Sequence, residues 1–141
     1  MVAGYCYDWN VKHKRGTYDI SLGNGFFAKW NLADDKIWAI NPNSFEEVGC
    51  IHTAQGLEFD YVGVIIGKDL KYNPTTKLII TDKNAISKDD NSSGIRNSSD
   101  DIAHKLIINT YKTLLTRGQK GCYIYCEDND LREYIKSKCK I

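Results

Sequence analysis

Two bends of this chain bring together side chains suited to phosphate chemistry. One lies in Ile51-His52-Thr53-Ala54-Gln55-Gly56-Leu57-Glu58-Phe59-Asp60-Tyr61-Val62, the other in Tyr111-Lys112-Thr113-Leu114-Leu115-Thr116-Arg117-Gly118-Gln119-Lys120-Gly121. Each places polar groups where an apolar strand or helix ends, the position at which α/β proteins hold ligands. Arg117 is the strongest chemical candidate. Its guanidinium stays charged and its planar fork binds phosphate oxygens two at a time. Phosphoryl transfer needs such positive charge held in advance against the transferring oxygens. The Thr53 hydroxyl and the His52 imidazole N–H are donors to a phosphate backbone. Gly56 lets the backbone turn tightly on the way to Glu58. Plainer readings stand beside these. Arg117 would neutralise the negative end of a helix, Glu58 would be a solvated loop carboxylate, His52 a structural histidine and Asp60 a turn former.

The remaining composition narrows the field. A chain of 141 residues supports one domain around a single core, and 42% hydrophobic with 26% charged residues is ordinary for a globular protein. The net charge of +1 supplies no bulk basic footprint, so any phosphate contact must come from a local patch. No apolar run is long enough to span a bilayer, and the N-terminus lacks a signal-peptide pattern. The five cysteines include no C-x₂-C pair and lie away from the three histidines in sequence. They read as free thiols in a reducing cytosol, four of them (Cys6, Cys50, Cys122 and Cys126) in or beside apolar strand-like runs. No metal site is expected.

The elements that must position the two bends follow from periodicity. Val2–Tyr7 reads as a buried strand. Tyr18, Ile20 and Leu22 alternate with polar residues before Gly23-Asn24-Gly25 and Phe26-Phe27, a hairpin signal. The same glycines fit a dinucleotide fingerprint only superficially, since no helix pattern follows. Ile37–Ile40 reads as a short strand. Glu47–Thr53 and Tyr61–Gly67 read as core strands around the first bend, with the continuous apolar runs of parallel strands covered on both faces. Gly67-Lys68-Asp69 lacks the upstream Gly and the following Ser or Thr of a phosphate loop, and no such loop occurs elsewhere. Lys77–Thr81 reads as an edge strand and Lys83–Asn97 as a mobile polar loop. Ser98 and Asp101 resemble a capping box opening a helix whose stripe is Ile102, Ala103, Leu106, Ile107, Thr110, Tyr111, Leu114 and Leu115; Gly118 marks its end. Gly121–Tyr125 reads as another strand, and Leu131, Tyr134 and Ile135 as the buried side of a last helix. The order predicts an α/β domain with a mostly parallel sheet flanked by helices and a β-hairpin insertion.

Taken together, the two bends resemble motifs V and VI of superfamily 1 helicases, most closely the Schlafen group 3-like DNA/RNA helicase domain found in many bacterial proteins. Matching signals run from Ala3-Gly4-Tyr5 to Leu131-Arg132-Glu133-Tyr134. The resemblance implies that residues 1–141 form a second RecA-like domain, of the fold shared by phosphate-loop NTPases. It implies that Arg117 reaches the γ-phosphate of ATP across a cleft, that Gln55, Gly56 and Glu58 line the nucleotide, and that His52 and Thr53 contact nucleic acid. ATP and Mg²⁺ would be held mainly by a preceding ATPase domain, none being bound tightly by this chain, and single-stranded DNA or RNA would be the partner. Met1 before Val2-Ala3-Gly4-Tyr5 resembles an added start on a trimmed domain. Ile108 departs from the basic residue that related sequences often carry there.

Other readings remain open. The fold could serve as a non-catalytic nucleic-acid or protein interaction module. The mixed cations and aromatics of the Trp9–Trp30 segment, Lys12, His13, Lys14, Arg15, Tyr18, Phe26, Phe27 and Lys29 among them, suit either stacking on single strands or simple coverage of the sheet. A metal-dependent hydrolase built on Glu58 and Asp60 lacks a ligand cluster at the right spacing.

Overall fold

The computed structural model describes residues 1–23, 25–32 and 38–139. Its centre is a three-stranded parallel sheet of β1 (Val2–Ala3), β5 (Phe59–Ile66) and β8 (Gly118–Cys126), with β5 in the middle. β5 and β8 pair from Phe59↔Gly118 to Ile66↔Cys126, and Val2 and Ala3 of β1 pair with Val64 and Ile65. The expected hairpin forms from β2 (Ile20–Leu22) and β3 (Phe26–Trp30); its turn residue Asn24 lies outside the described residues. β3 runs parallel to β4 (Glu47–Val48). Gly49 then bridges to Val2, donating its N–H to Met1 O at 3.0 Å and accepting from Ala3 N at 2.9 Å. The hairpin is thereby joined edge to edge with the parallel sheet.

Two helices cover one side of this sheet. α2 (Asp100–Leu115) buries Ala103, Ile107, Thr110, Tyr111 and Leu114, the narrow stripe expected of a helix on a sheet. Ile102 and Leu106, expected in that stripe, face outward instead. The helix starts behind Ser99, which makes no side-chain cap; Ser98 donates to Ile95 O at 2.8 Å, so the expected capping box is absent. Ile108 is partly buried against the core. α3 (Asn129–Lys138) is capped by Asp128, which accepts from Leu131 N at 2.7 Å, and buries Leu131. β6 (Leu70–Asn73) and β7 (Leu78–Thr81) form a hairpin beside it, with Tyr72 stacked on Tyr134 at 4.2 Å.

Several boundaries differ from expectation, for local reasons. Glu47–Thr53 is not one strand. The chain turns at Cys50, where Thr53 Oγ1 accepts from Cys50 N at 2.8 Å, and continues as α1 (Ile51–Ala54). Trp38–Ile40 is a 3₁₀ turn rather than a strand, and Ile37 lies outside the described residues. The expected loop 83–97 is tied down. Ile86 and Ile95 are buried, Ser87 N donates to Tyr5 O at 2.8 Å, and the Asp90 carboxylate accepts from Ser92 and Ser93.

The carboxyl ends of the strands meet a buried polar network. Tyr111 Oη donates to Asp69 Oδ1 at 2.5 Å and accepts from Gly67 N at 3.0 Å, pinning α2 to the end of β5. Burial pushes the Asp69 carboxyl up, against the opposing pull of the Tyr111 hydroxyl. Tyr7 Oη donates to Glu127 Oε1 at 2.7 Å nearby, and burial raises its phenol as well. All five cysteines are free.

Candidate nucleotide and nucleic-acid site

Both bends lie at the amino-terminal edge of the parallel sheet, since one leads into β5 and the other into β8. The opposite edge is filled by the Tyr111 and Tyr7 networks. Position relative to the strands therefore differs from the carboxyl-edge rule for open α/β sheets.

Local chemistry shapes the first bend. α1 lasts a single turn. Leu57 N donates to Ala54 O at 3.2 Å, and Gly56 supplies φ +76°, a left-handed conformation that a side chain resists. The second bend is set by a bulge. β5 and β8 pair at Phe59↔Gly118 and next at Tyr61↔Gly121, so Gln119 and Lys120 together face Asp60. A Cβ on Gly118 would lie 3.0 Å from Val62 Cγ1 and against the Gly121 carbonyl, so the close approach requires glycine.

That register joins the two bends. Phe59 N donates to Arg117 O at 2.9 Å. The Arg117 side chain donates from Nε to Thr113 O at 3.1 Å and from Nη1 to Leu57 O at 3.5 Å. The first contact is the helix-ending role open to any cation there; the second reaches the turn that carries Glu58. Neither partner is an anion, and among the described residues Arg117 makes no ion pair, so its charge is available to one. Glu58 is exposed and accepts from Gln119 Nε2 at 2.5 Å. Lys120 Nζ lies 2.8 Å from Asp60 Oδ2, so Asp60 is a strand residue with a cross-strand partner rather than a turn former. Gln55 and Gly56 are exposed on the same turn.

His52 and Thr53 stand one turn earlier, on α1 rather than at the end of a strand. His52 is exposed, its ring 6.0 Å from that of Tyr5. The Thr53 hydroxyl donates to Cys50 O at 2.9 Å while accepting from Cys50 N, so both functions serve its own turn. α1 packs against α2, the helix that Arg117 follows by two residues. Gln119 and Lys120 are rim residues the motif reading passed over; the signal was two polar residues framed by Gly118 and Gly121. Among the described residues no group of three or more His, Cys, Asp or Glu is gathered closely enough to hold a metal ion. None of the described helices is long and apolar enough to cross a membrane.

Fold and rim define an α/β domain in which two polar bends share the amino edge of one parallel sheet, with an unneutralised arginine between them. The chain belongs to the Schlafen group 3 DNA/RNA helicase domain family, whose model matches residues 1–128. It is also similar to an uncharacterised protein of Saccharomyces cerevisiae, 30% identical over 138 residues. That match takes in 92% of this chain and 30% of the yeast protein, so the chain spans less than a third of its relative's length. No solved structure matches it.

Proposed function

We propose that this helicase-family chain is the second RecA-like domain of a nucleic-acid-dependent ATPase. Its part is to present Arg117 to the γ-phosphate of an ATP held, with Mg²⁺, by a phosphate-loop domain of the same polypeptide. The observation that carries the reading is the Phe59↔Gly118 register, which sets Arg117 beside the Leu57-Glu58 turn with its charge unpaired. Donor chemistry fits an anion: the guanidinium is held by two neutral carbonyls that orient it without neutralising it. Glu58 and Gln55 offer an acceptor and a donor to nucleotide hydroxyls across the same turn, and Gly56 keeps that turn tight. The bound nucleotide supplies the phosphoryl group for transfer to water; this chain supplies charge and orientation.

His52, with Thr53 bracing its turn, is the proposed contact to a single-stranded DNA or RNA backbone. Because α1 rests on α2, a shift at His52 is passed to the helix that leads into the Arg117 turn, a route for coupling strand binding to turnover. The isolated chain is expected to be inactive, since no phosphate loop occurs in its sequence. Within a polypeptide that carries one, Arg117→Ala should lower ATP turnover by a factor on the order of 10³ while ATP affinity is largely kept. Turnover unchanged by that substitution would refute the assignment.

A further inference from the structure

The run Lys12-His13-Lys14-Arg15 has no part in the ATPase reading, yet the structure gives it a defined setting. Beyond β1 the chain winds into a compact turn. His13 N donates to Trp9 O at 3.0 Å, Lys14 N to Val11 O at 3.1 Å and Arg15 N to Asn10 O at 2.6 Å. Carboxylates clamp the turn from two sides. Asp19 accepts from Val11 N at 2.9 Å and from Trp30 N at 2.7 Å, which ties the turn to β3. Asp89 accepts from Trp9 N at 3.0 Å and pairs with Arg15, which ties it to the segment 87–90. Asp8 accepts from Ser87 Oγ, and Ser87 N donates to Tyr5 O at 2.8 Å.

Each of these carboxylates is engaged by donors of the turn and its clamp, whereas the remaining cations are turned out. Lys12, His13, Lys14 and Lys88 are exposed, and among the described residues none of them forms an ion pair. Lys88 stands between Ser87 and Asp89, so the clamp that holds the turn also brings it a cation distant in sequence. Lys12 Nζ lies 6.0 Å from the centre of the Trp9 ring, a contact that orients the ammonium group without neutralising it. Lys14 adopts φ +55°, a left-handed conformation that favours Gly or Asn. Backbone preference does not call for lysine there; what lysine adds is an exposed charge.

Charge of this kind attracts an anion, and the setting narrows which. A single small anion is held by converging backbone N–H groups, but those of Trp9, Val11, His13, Lys14 and Arg15 are all taken. Lysines on flexible stems act as point charges and suit a run of phosphodiesters, to which they need no fixed angle. A net charge of +1 gives the chain no general basic footprint, so a backbone contact requires a local patch such as this one. The patch also adjoins the proposed strand contact. The Tyr5 ring is 6.0 Å from that of His52, and the Tyr5 carbonyl receives Ser87 N, next to Lys88. We infer that Lys12, Lys14 and Lys88 extend the His52 contact into a phosphate track for a nucleic-acid strand. This rests on the nucleic-acid part of the proposed function and uses none of its ATPase part.

The test is binding of fluorescein-labelled oligo-dT by the full chain, followed by anisotropy between about 50 and about 200 mM salt. Wild type should bind, and more weakly as salt rises. A triple variant, Lys12→Gln with Lys14→Asn and Lys88→Gln, changes exposed side chains only and keeps a residue suited to the left-handed position. It should bind about 10-fold more weakly or worse at about 50 mM salt, with the slope of log affinity against log salt shallower by about 2. Its circular dichroism spectrum should match that of wild type. Wild type that does not bind oligo-dT at about 50 mM salt overturns the inference, as does wild type that binds poly-glutamate equally well. A triple variant with unchanged affinity and slope also overturns it; if His52→Ala then abolishes binding, the proposed function stands without this track. Binding lost in the triple variant and kept in His52→Ala upholds the inference and removes His52 from the strand contact.

Discussion

Tyr111→Phe removes one oxygen atom from the core and should be costly out of proportion to its size. The hydroxyl is buried, donates to Asp69 Oδ1 and is the acceptor for Gly67 N. Deleting it leaves a buried N–H without its acceptor and takes a donor from a buried carboxyl. Each buried group so stranded costs about 1–3 kcal/mol, while the phenyl ring itself is kept. The expected loss is about 3 kcal/mol, or about 10 °C in Tm for a domain of this size. Urea unfolding followed by circular dichroism measures it, and a double-mutant cycle with Asp69→Asn isolates the pair. The cycle should return a coupling of about 1 kcal/mol or more, because the residues share one network. A Tyr111→Phe loss below about 0.5 kcal/mol would show that water or a shifted backbone satisfies these groups, and the pinning of α2 would be refuted.

The other predictions concern the same carboxyl edge and the thiols. Burial raises the folded Asp69 carboxyl above its unfolded value of 3.8, so the fold holds that proton more tightly than the unfolded chain. This contribution is complete below the unfolded value and is lost as pH rises through the folded one. The Tm of Asp69→Asn relative to wild type should therefore climb as pH rises from the unfolded value of 3.8 through the folded one, and a constant difference would contradict it. Gly4→Ala would place a methyl 2.7 Å from Tyr111 Cζ, in contact with its hydroxyl, and should cost about 1–3 kcal/mol in urea unfolding; a neutral result would mean that the ring can move aside. In timed alkylation read by mass spectrometry, exposed Cys139 should label first and Cys126 far more slowly, since burial pushes the latter thiol up to about 11. Equal rates at the two would count against the buried position of β8's last residue.

Elements with strong periodicity were legible before the structure. α2 and α3 announce themselves through Ala103, Ile107, Tyr111 and Leu114 and through Leu131, and the β2–β3 hairpin through its Asn-Gly pair. What escaped was decided by side chains talking to nearby backbone. The apolar run Glu47–Thr53 reads as one strand, and the Thr53 hydroxyl on Cys50 N turns its second half into the start of α1. β6 was missed because its turn signal is Asn73, whose side chain accepts from Thr75 N and Thr76 N ahead of β7. The polar composition of residues 83–97 hid Ile86 and Ile95, two single anchors without any period. At the rim, residue types alone pointed to Arg117 and Glu58 as candidates. That a bulge framed by Gly118 and Gly121 would turn Gln119 and Lys120 toward Glu58 and Asp60 depends on strand register, which one sequence does not display.

The most direct test of the central claim supplies Arg117 in trans. The phosphate-loop domain that the account places in the same polypeptide is to be assayed for ATP hydrolysis alone, with the wild-type chain, and with the Arg117→Ala chain, each with single-stranded nucleic acid present. The account predicts that the wild-type chain raises turnover by at least about 100-fold and that the Arg117→Ala chain, bound equally well, does not. Equal stimulation by the two chains would contradict it.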